Sequence, residues 1–272
     1  MALKRENKYA EMVFSCSEDQ QYRGEKVLED HALVRVISGE LKVIQADKIF
    51  LFNAGDTLLF PRNQLSTLVK TAKDGRDYKS IVIRLASPQL REYYTKNKYD
   101  QLLAHTIGIL PLEKNVLLES FFSSVLPYFD LDKQLPPKIL ALKITEAVEI
   151  LRNISKDVDS ILSDFTEPGR INLQDFMEKN YIFNIPLVKF SALTGRSLTT
   201  FKRDFEKAFH LTPQRWLTQK RLELAHYYIA ENHLKPINVY YEVGFENLSH
   251  FSRAFKKHFG YAPTNITKDE IF

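Results

Sequence analysis

Two stretches of this chain carry short polar side chains and arginine at matching spacing. Residues 197–213 read SLTTFKRDFEKAFHLTP and residues 247–263 read NLSHFSRAFKKHFGYAP. Shifted by fifty positions, Leu198 meets Leu248, Phe201 meets Phe251, Arg203 meets Arg253 and Phe205 meets Phe255. Lys207 with Lys257, Phe209 with Phe259 and Pro213 with Pro263 complete the match. Seven identities in seventeen ungapped positions exceed what composition produces, so the two segments share one structural task. Phe201, Phe205 and Phe209 recur every four residues, as do Phe251, Phe255 and Phe259, and each trio forms an apolar stripe on a helix. Thr199, Lys202 and Arg203 fall on the other faces of the first helix, and Ser249, Ser252 and Arg253 on those of the second. Hydroxyls, lysine and arginine are the groups that hydrogen-bond base edges and phosphates. The phenylalanines themselves read as core, because proteins that stack single-stranded bases keep their aromatics exposed.

The elements around these helices fit that chemistry. Ser197 and Asn247 are good N-cap residues. A shorter helical piece precedes each copy: residues 186–193 lead through Thr194-Gly195-Arg196, and residues 236–243 through Gly244-Phe245-Glu246. A short helix, a turn through glycine and a second helix make a helix-turn-helix. Between the two units a helix opens at Thr212-Pro213 and runs to about Ala230, roughly 27 Å at 1.5 Å per residue. Two reading helices joined by that length could sit about one DNA turn apart, near 34 Å.

The rest of the chain has a different texture. Apolar runs at 33–37, 41–45, 49–53, 57–60, 67–70 and 80–85, separated by tight turns, predict a small β-sandwich or barrel. The first two runs, joined at Ser38-Gly39, read as a hairpin. Ser87-Pro88 predicts a helix capped by Ser87 over about 88–97. Further helices are expected over about 113–128 and 136–153, the latter with Ile139, Leu142, Ile144, Val148 and Leu151 at near-helical spacing. The polar stretch 155–170, ending in Pro-Gly, marks a boundary between domains at 1–160 and 170–272. From Arg170 onward there are 15 Lys and Arg against 10 Asp and Glu, while residues 1–169 carry 23 against 24. A basic half beside a neutral one suits a nucleic-acid reader joined to something else. No apolar run approaches the ~20 residues that span a bilayer, and residues 1–14 lack a signal-peptide pattern. The expected location is the cytoplasm.

Residues 171–264 resemble the C-terminal domain of the AraC/XylS family of bacterial transcription regulators. The likeness rests on residues 193–198 (LTGRSL), 201–205 (FKRDF), Thr212-Pro213 and Trp216-Leu217. It rests above all on residues 242–247 (EVGFEN) and 251–257 (FSRAFKK), with Gly260 and Ala262-Pro263 closing the second unit. Ser191 and Tyr240 stand where the family usually has alanine, and the bulk of Tyr240 predicts somewhat different packing of the second unit. The aromatic-arginine pair common at this end of the family is missing after Asn265-Ile266. The resemblance implies that both recognition helices enter successive major grooves on one side of a double-stranded operator. It implies base readers at Thr199, Lys202 and Arg203, and at Ser249, His250, Ser252 and Arg253, with Lys256 and Lys257 on phosphate or solvent. Through Ser38-Gly39-Glu40-Leu41 and residues 55–61 (GDTLLFP), the N-terminal half loosely resembles the family's cupin-like regulatory domains. Its layout is similar to the branch of type III secretion activators.

The expected fold is therefore α+β: a cupin-like barrel or sandwich with following helices, then an all-α domain with two helix-turn-helix units. The expected function is sequence-specific regulation of transcription, with activation favoured. The N-terminal half would form a homodimer and answer to a small molecule or a protein partner, with no cofactor and no membrane. The alternative is an enzyme carrying this DNA-binding module. A cupin-type metal site needs several converging histidines and a carboxylate, whereas residues 1–169 hold only His31 and His105. Cys16, the single cysteine, excludes an internal disulfide and would have to act alone as a redox sensor or group acceptor.

Overall fold

A computed structural model describes residues 5–6, 11–17, 19–46, 48–97, 108–131, 135–166 and 168–266. His105 lies outside them. The chain divides into two compact units, Met1–Thr166 and Glu167–Phe272.

The first unit is built on two antiparallel sheets. Its strands are β1 (Arg5–Glu6), β2 (Met12–Ser17), β3 (Gln21–Val27), β4 (His31–Ser38), β5 (Glu40–Ile44), β6 (Ile49–Asn53), β7 (Thr57–Phe60), β8 (Leu65–Thr71), β9 (Tyr78–Leu85) and β10 (Leu110–Leu112). Six form one sheet in the order β1-β2-β9-β4-β7-β10, and four form the other in the order β3-β8-β5-β6. Alternation along β4 explains the layering. Ala32, Val34 and Val36 point between the sheets, where they meet Leu41, Val43, Phe52 and Leu58. Leu33 points the other way, with Met12, Ile81 and Ile83, onto a helical layer.

That layer contains α1 (Ser87–Lys96), α2 (Val116–Val125), a 3-10 turn (Leu126–Asp130), α3 (Pro137–Ile154) and α4 (Asp157–Leu162). Leu90, Phe121, Val148 and Leu151 fill it from the helix side. Arg35 on β4 pairs with both carboxylate oxygens of Glu119 on α2 at 2.6 Å, tying sheet to helix.

Three sequence expectations need correction here. Residues 33–37 and 41–45 are not a hairpin: β4 pairs with β7 and β9, whereas β5 pairs with β6 and β8. The chain crosses from one sheet to the other at Gly39, whose φ is +75°. A Cβ there would lie 2.6 Å from the Thr71 carbonyl oxygen and 2.8 Å from the Tyr78 Cα. Only glycine passes through that gap. Secondly, Ser87 does not cap α1; it is the helix's first residue, and its N–H donates to Asp30 Oδ1 at 3.2 Å. Thirdly, the helix expected over 113–128 is α2 followed by the 3-10 turn, broken where Pro127 removes a backbone donor.

In the second unit the helices are α5 (Leu173–Asn180), α6 (Leu187–Leu193), α7 (Leu198–Phe209), α8 (Pro213–Ala230), α9 (Pro236–Glu242) and α10 (Leu248–Phe259). Helix α8 serves two cores. Near its start Trp216 meets Phe205 and Phe209 of α7, at ring-centroid distances of 5.5 and 4.6 Å. Further along, Leu222, Ala225 and Ile229 join Val239, Val243, Phe251 and Phe255. Its apolar residues therefore face two ways, one for each helix-turn-helix. Among the described residues, no helix is long and apolar enough to cross a membrane.

Candidate nucleic-acid interface

Each repeated helix begins on a side-chain cap. Ser197 Oγ accepts from the Thr200 N–H at 3.2 Å, and Asn247 Oδ1 accepts from the N–H groups of Ser249 and His250 at 2.8 and 3.1 Å. Each also ends on a left-handed residue, His210 in the first copy and Gly260 in the second. These four positions keep the fifty-residue shift. Between the caps, Phe201, Phe205, Phe251 and Phe255 are fully buried. With one stripe fixed inward, the opposite face of a helix must meet solvent.

The turns before the helices close alike. The Arg196 N–H donates to Ser191 O, and the Phe245 N–H to Tyr240 O, both at 2.9 Å. The residue before each donor is a glycine with positive φ: Gly195 at +64° and Gly244 at +87°. Gly195 and Gly244 lie forty-nine positions apart, not fifty. The second turn therefore holds one extra residue before its cap. Ser191 is buried and donates from Oγ to Val188 O at 2.9 Å. Tyr240 packs partly buried at the margin of the second unit's core. Helices α6 and α9 are both seven residues long, so the two helix-turn-helices differ in turn length and not in the length of this helix.

On the free faces, Thr199, Lys202, Arg203, Ser249, His250, Arg253 and Lys256 are exposed, and Ser252 is half-buried. The Arg203 guanidinium keeps 74% side-chain exposure while pairing with Asp204 at 3.2 Å. Asp204 also receives Arg196 at 3.2 Å. That hydrogen bond from Arg196, followed by Arg203, holds the Asp204 carboxyl below its usual range. Arg253 Nε folds back onto Ser249 O at 3.3 Å. His250 sits with its ring 5.7 Å from that of Phe245. Lys256, in the last turn of α10, is also placed to offset the negative end of the helix dipole.

Sequence reasoning missed the inner wall of this region. A cleft of about 590 Å³ runs beside the start of α10, lined by Asn184, Thr218 and Arg221 as well as by Ser249, His250 and Arg253. Arg221 stands on α8 outside either repeat, so no internal symmetry pointed to it.

Two family models match the chain. One, described as a helix-turn-helix domain, covers residues 190–269, and the other, the ExsA N-terminal regulatory domain, covers residues 31–157. The first lies in the C-terminal half and the second in the N-terminal half, and both halves are similar to regulators of the AraC family. The chain is 26% identical over 256 residues to the HTH-type transcriptional regulator ExsA of Pseudomonas aeruginosa, covering 90% of the chain and 89% of that protein. It is 33% identical over 99 residues to the virulence regulon transcriptional activator VirF of Yersinia enterocolitica, 36% of each. Among solved structures it is similar to apo ToxT from Vibrio cholerae, at 12% identity and a TM-score of 0.45, over 95% of this chain and 99% of that one. The chain is thus a DNA-binding transcription regulator.

Proposed function

We propose that the chain is a homodimeric activator that reads a two-part operator through α7 and α10. Thr199, Lys202 and Arg203 address one stretch of major groove. Ser249, His250, Ser252 and Arg253 address the next, with Lys256 on a phosphate. The observation that carries this reading is the placement of Arg203 and Arg253. Both are exposed at the same register of two helices capped at matching positions, with Phe201, Phe205, Phe251 and Phe255 buried.

The first unit supplies dimerisation and control by a small ligand or a protein partner. Support comes from α3, where Ile139 and Leu142 lie three residues apart and stay 42% and 69% exposed, although the face beside them is fully packed. Activation is favoured because the similar VirF is named an activator. No catalytic role is assigned to this unit: His31 is a buried core residue and Cys16 a half-buried strand residue. The setting is the cytoplasm, where operator DNA lies.

The test is selection of duplexes from a random pool by the full-length protein, followed by affinity measurements with Arg203→Ala and Arg253→Ala. Each variant is expected to lose ~1–3 kcal/mol and to relax specificity at one base pair, the two positions about one turn apart. Unchanged binding by both variants would overturn the helix assignment.

A further inference from the structure

Each helix-turn-helix unit has its own core, and α8 alone would leave their relative rotation to the stiffness of one helix. The described contacts show a second connection. Arg221 Nε donates to Tyr181 O at 2.9 Å, and its two terminal nitrogens donate to Phe183 O at 2.7 Å and Gly244 O at 3.2 Å. Tyr181 and Phe183 belong to the loop between α5 and α6, which leads into the first helix-turn-helix. Gly244 is the turn glycine of the second. Beside this, Asn184 Nδ2 donates to Glu246 Oε1 at 2.8 Å, and Glu246 lies in the lengthened second turn. The two backbones also approach directly, since a Cβ on Gly244 would lie 2.8 Å from Ile182 O and 3.0 Å from Arg221 Nε.

A planar guanidinium with donors in a fixed fork can bridge several carbonyls at set angles. The three shorter contacts go to main-chain oxygens, which cannot rotate away as side chains can, and the Asn184 Oδ1 also accepts from Arg221, at 3.5 Å. Binding carbonyls from both units therefore fixes one main chain against the other.

We infer that Arg221 is a positioning residue that sets the distance and rotation between the two recognition helices, and so the half-site spacing this regulator accepts. This rests on the proposed reading of DNA by α7 and α10, and it adds what registers them. Moving one half-site by a base pair rotates it by roughly 34° about the duplex axis. A rigid pair of readers rejects that change, and a loosened pair tolerates it.

The experiment takes the full chain and a duplex selected by it, then shifts the spacing between half-sites by one and two base pairs in each direction. Affinity is measured for the native protein, Arg221→Lys, Arg221→Gln, Asn184→Ala and Arg203→Ala. The ratio of affinities at native and shifted spacing is expected to fall about tenfold in both Arg221 variants, because lysine keeps the charge but cannot span the carbonyls. Asn184→Ala, a milder change that keeps Arg221, is expected to lower the ratio about threefold. A ratio unchanged in either Arg221 variant overturns the inference. So does a uniform loss of affinity at every spacing, which would mean that Arg221 acts on phosphate or on folding alone. Arg203→Ala should weaken binding equally at all spacings; if it binds unchanged, the helix assignment fails instead.

Discussion

Gly195 lies directly against the backbone of Gly169: a Cβ at position 195 would sit 2.5 Å from the Gly169 carbonyl carbon and equally close to its oxygen. The first helix-turn-helix is thus closed by main chain packed on main chain. Gly195→Ala meets two costs, a left-handed φ of +64° and an obstacle that has no rotamer to change. The expected destabilisation is roughly 3 kcal/mol, from strain and overpacking together. Trp216, the only tryptophan, packs on Phe205 and Phe209 of this unit. Its fluorescence through a urea titration would report the loss, and an unchanged midpoint would mean that residues 168–169 do not hold this place.

The helix ends offer a matched pair. His210 and Gly260 occupy the same C-terminal position, with φ of +55° and +88°. The first is a side chain where glycine is preferred; the second is glycine at a place where a Cβ would meet nothing within 4 Å. His210→Gly should stabilise the first helix-turn-helix by about 0.5–1 kcal/mol, and Gly260→Ala should destabilise the second by about 1 kcal/mol. Urea denaturation of both variants checks the opposite signs. Changes of the same sign would count against the shared geometry.

The second unit was legible because its information is local and written twice. Stripes of phenylalanine, Ser197, Asn247 and the turn glycines each declare themselves within one turn of helix. Arg221 was not legible, since its partners are carbonyls at Tyr181, Phe183 and Gly244, and a carbonyl carries no residue identity. In the first unit the apolar runs gave most of the strands but not their partners. Strands β4 and β5 are neighbours in sequence and belong to different sheets, a choice made at Gly39 by contacts with Thr71 and Tyr78. Strand β3 escaped notice because its burial does not alternate: Gln21 is exposed and its other residues are half-buried, which erases the period-two signal.

His31 makes the first unit sensitive to acid. The ring is 2% exposed and its Nδ1 accepts the Arg62 N–H at 3.2 Å, which requires that nitrogen to be unprotonated. Burial first, then the nearby Arg62 charge, lowers its pKa from 6.5 to about 4. Between those values the unfolded chain binds a proton that the folded one refuses. The contribution is therefore complete above pH 6.5 and is lost as pH falls toward 4, amounting to about 3 kcal/mol across that window. His31→Asn keeps an acceptor near the same place and cannot titrate, so its stability should vary less over this range. Melting the native protein and the variant at pH 7 and pH 4.5 measures the difference. Parallel loss in both would assign the acid sensitivity elsewhere.

The proposed dimer can be tested without disturbing either core. Leu142 is 69% exposed on α3, so a polar residue there costs the isolated chain little, within about 0.5 kcal/mol for an ordinary surface site. In a symmetric dimer built on this face it would occur twice, near the centre of the buried patch. Leu142→Glu should then weaken association by about 2 kcal/mol or more, the scale of an interface anchor. Leu51 on strand β6 is the control, an apolar residue 54% exposed at the edge of the four-stranded sheet. Sedimentation of the full chain over a concentration series should show Leu142→Glu moving toward the single-chain mass while Leu51→Glu matches the native protein. If Leu51→Glu dissociates and Leu142→Glu does not, the sheet edge is the interface, and the apolar face of α3 has another use.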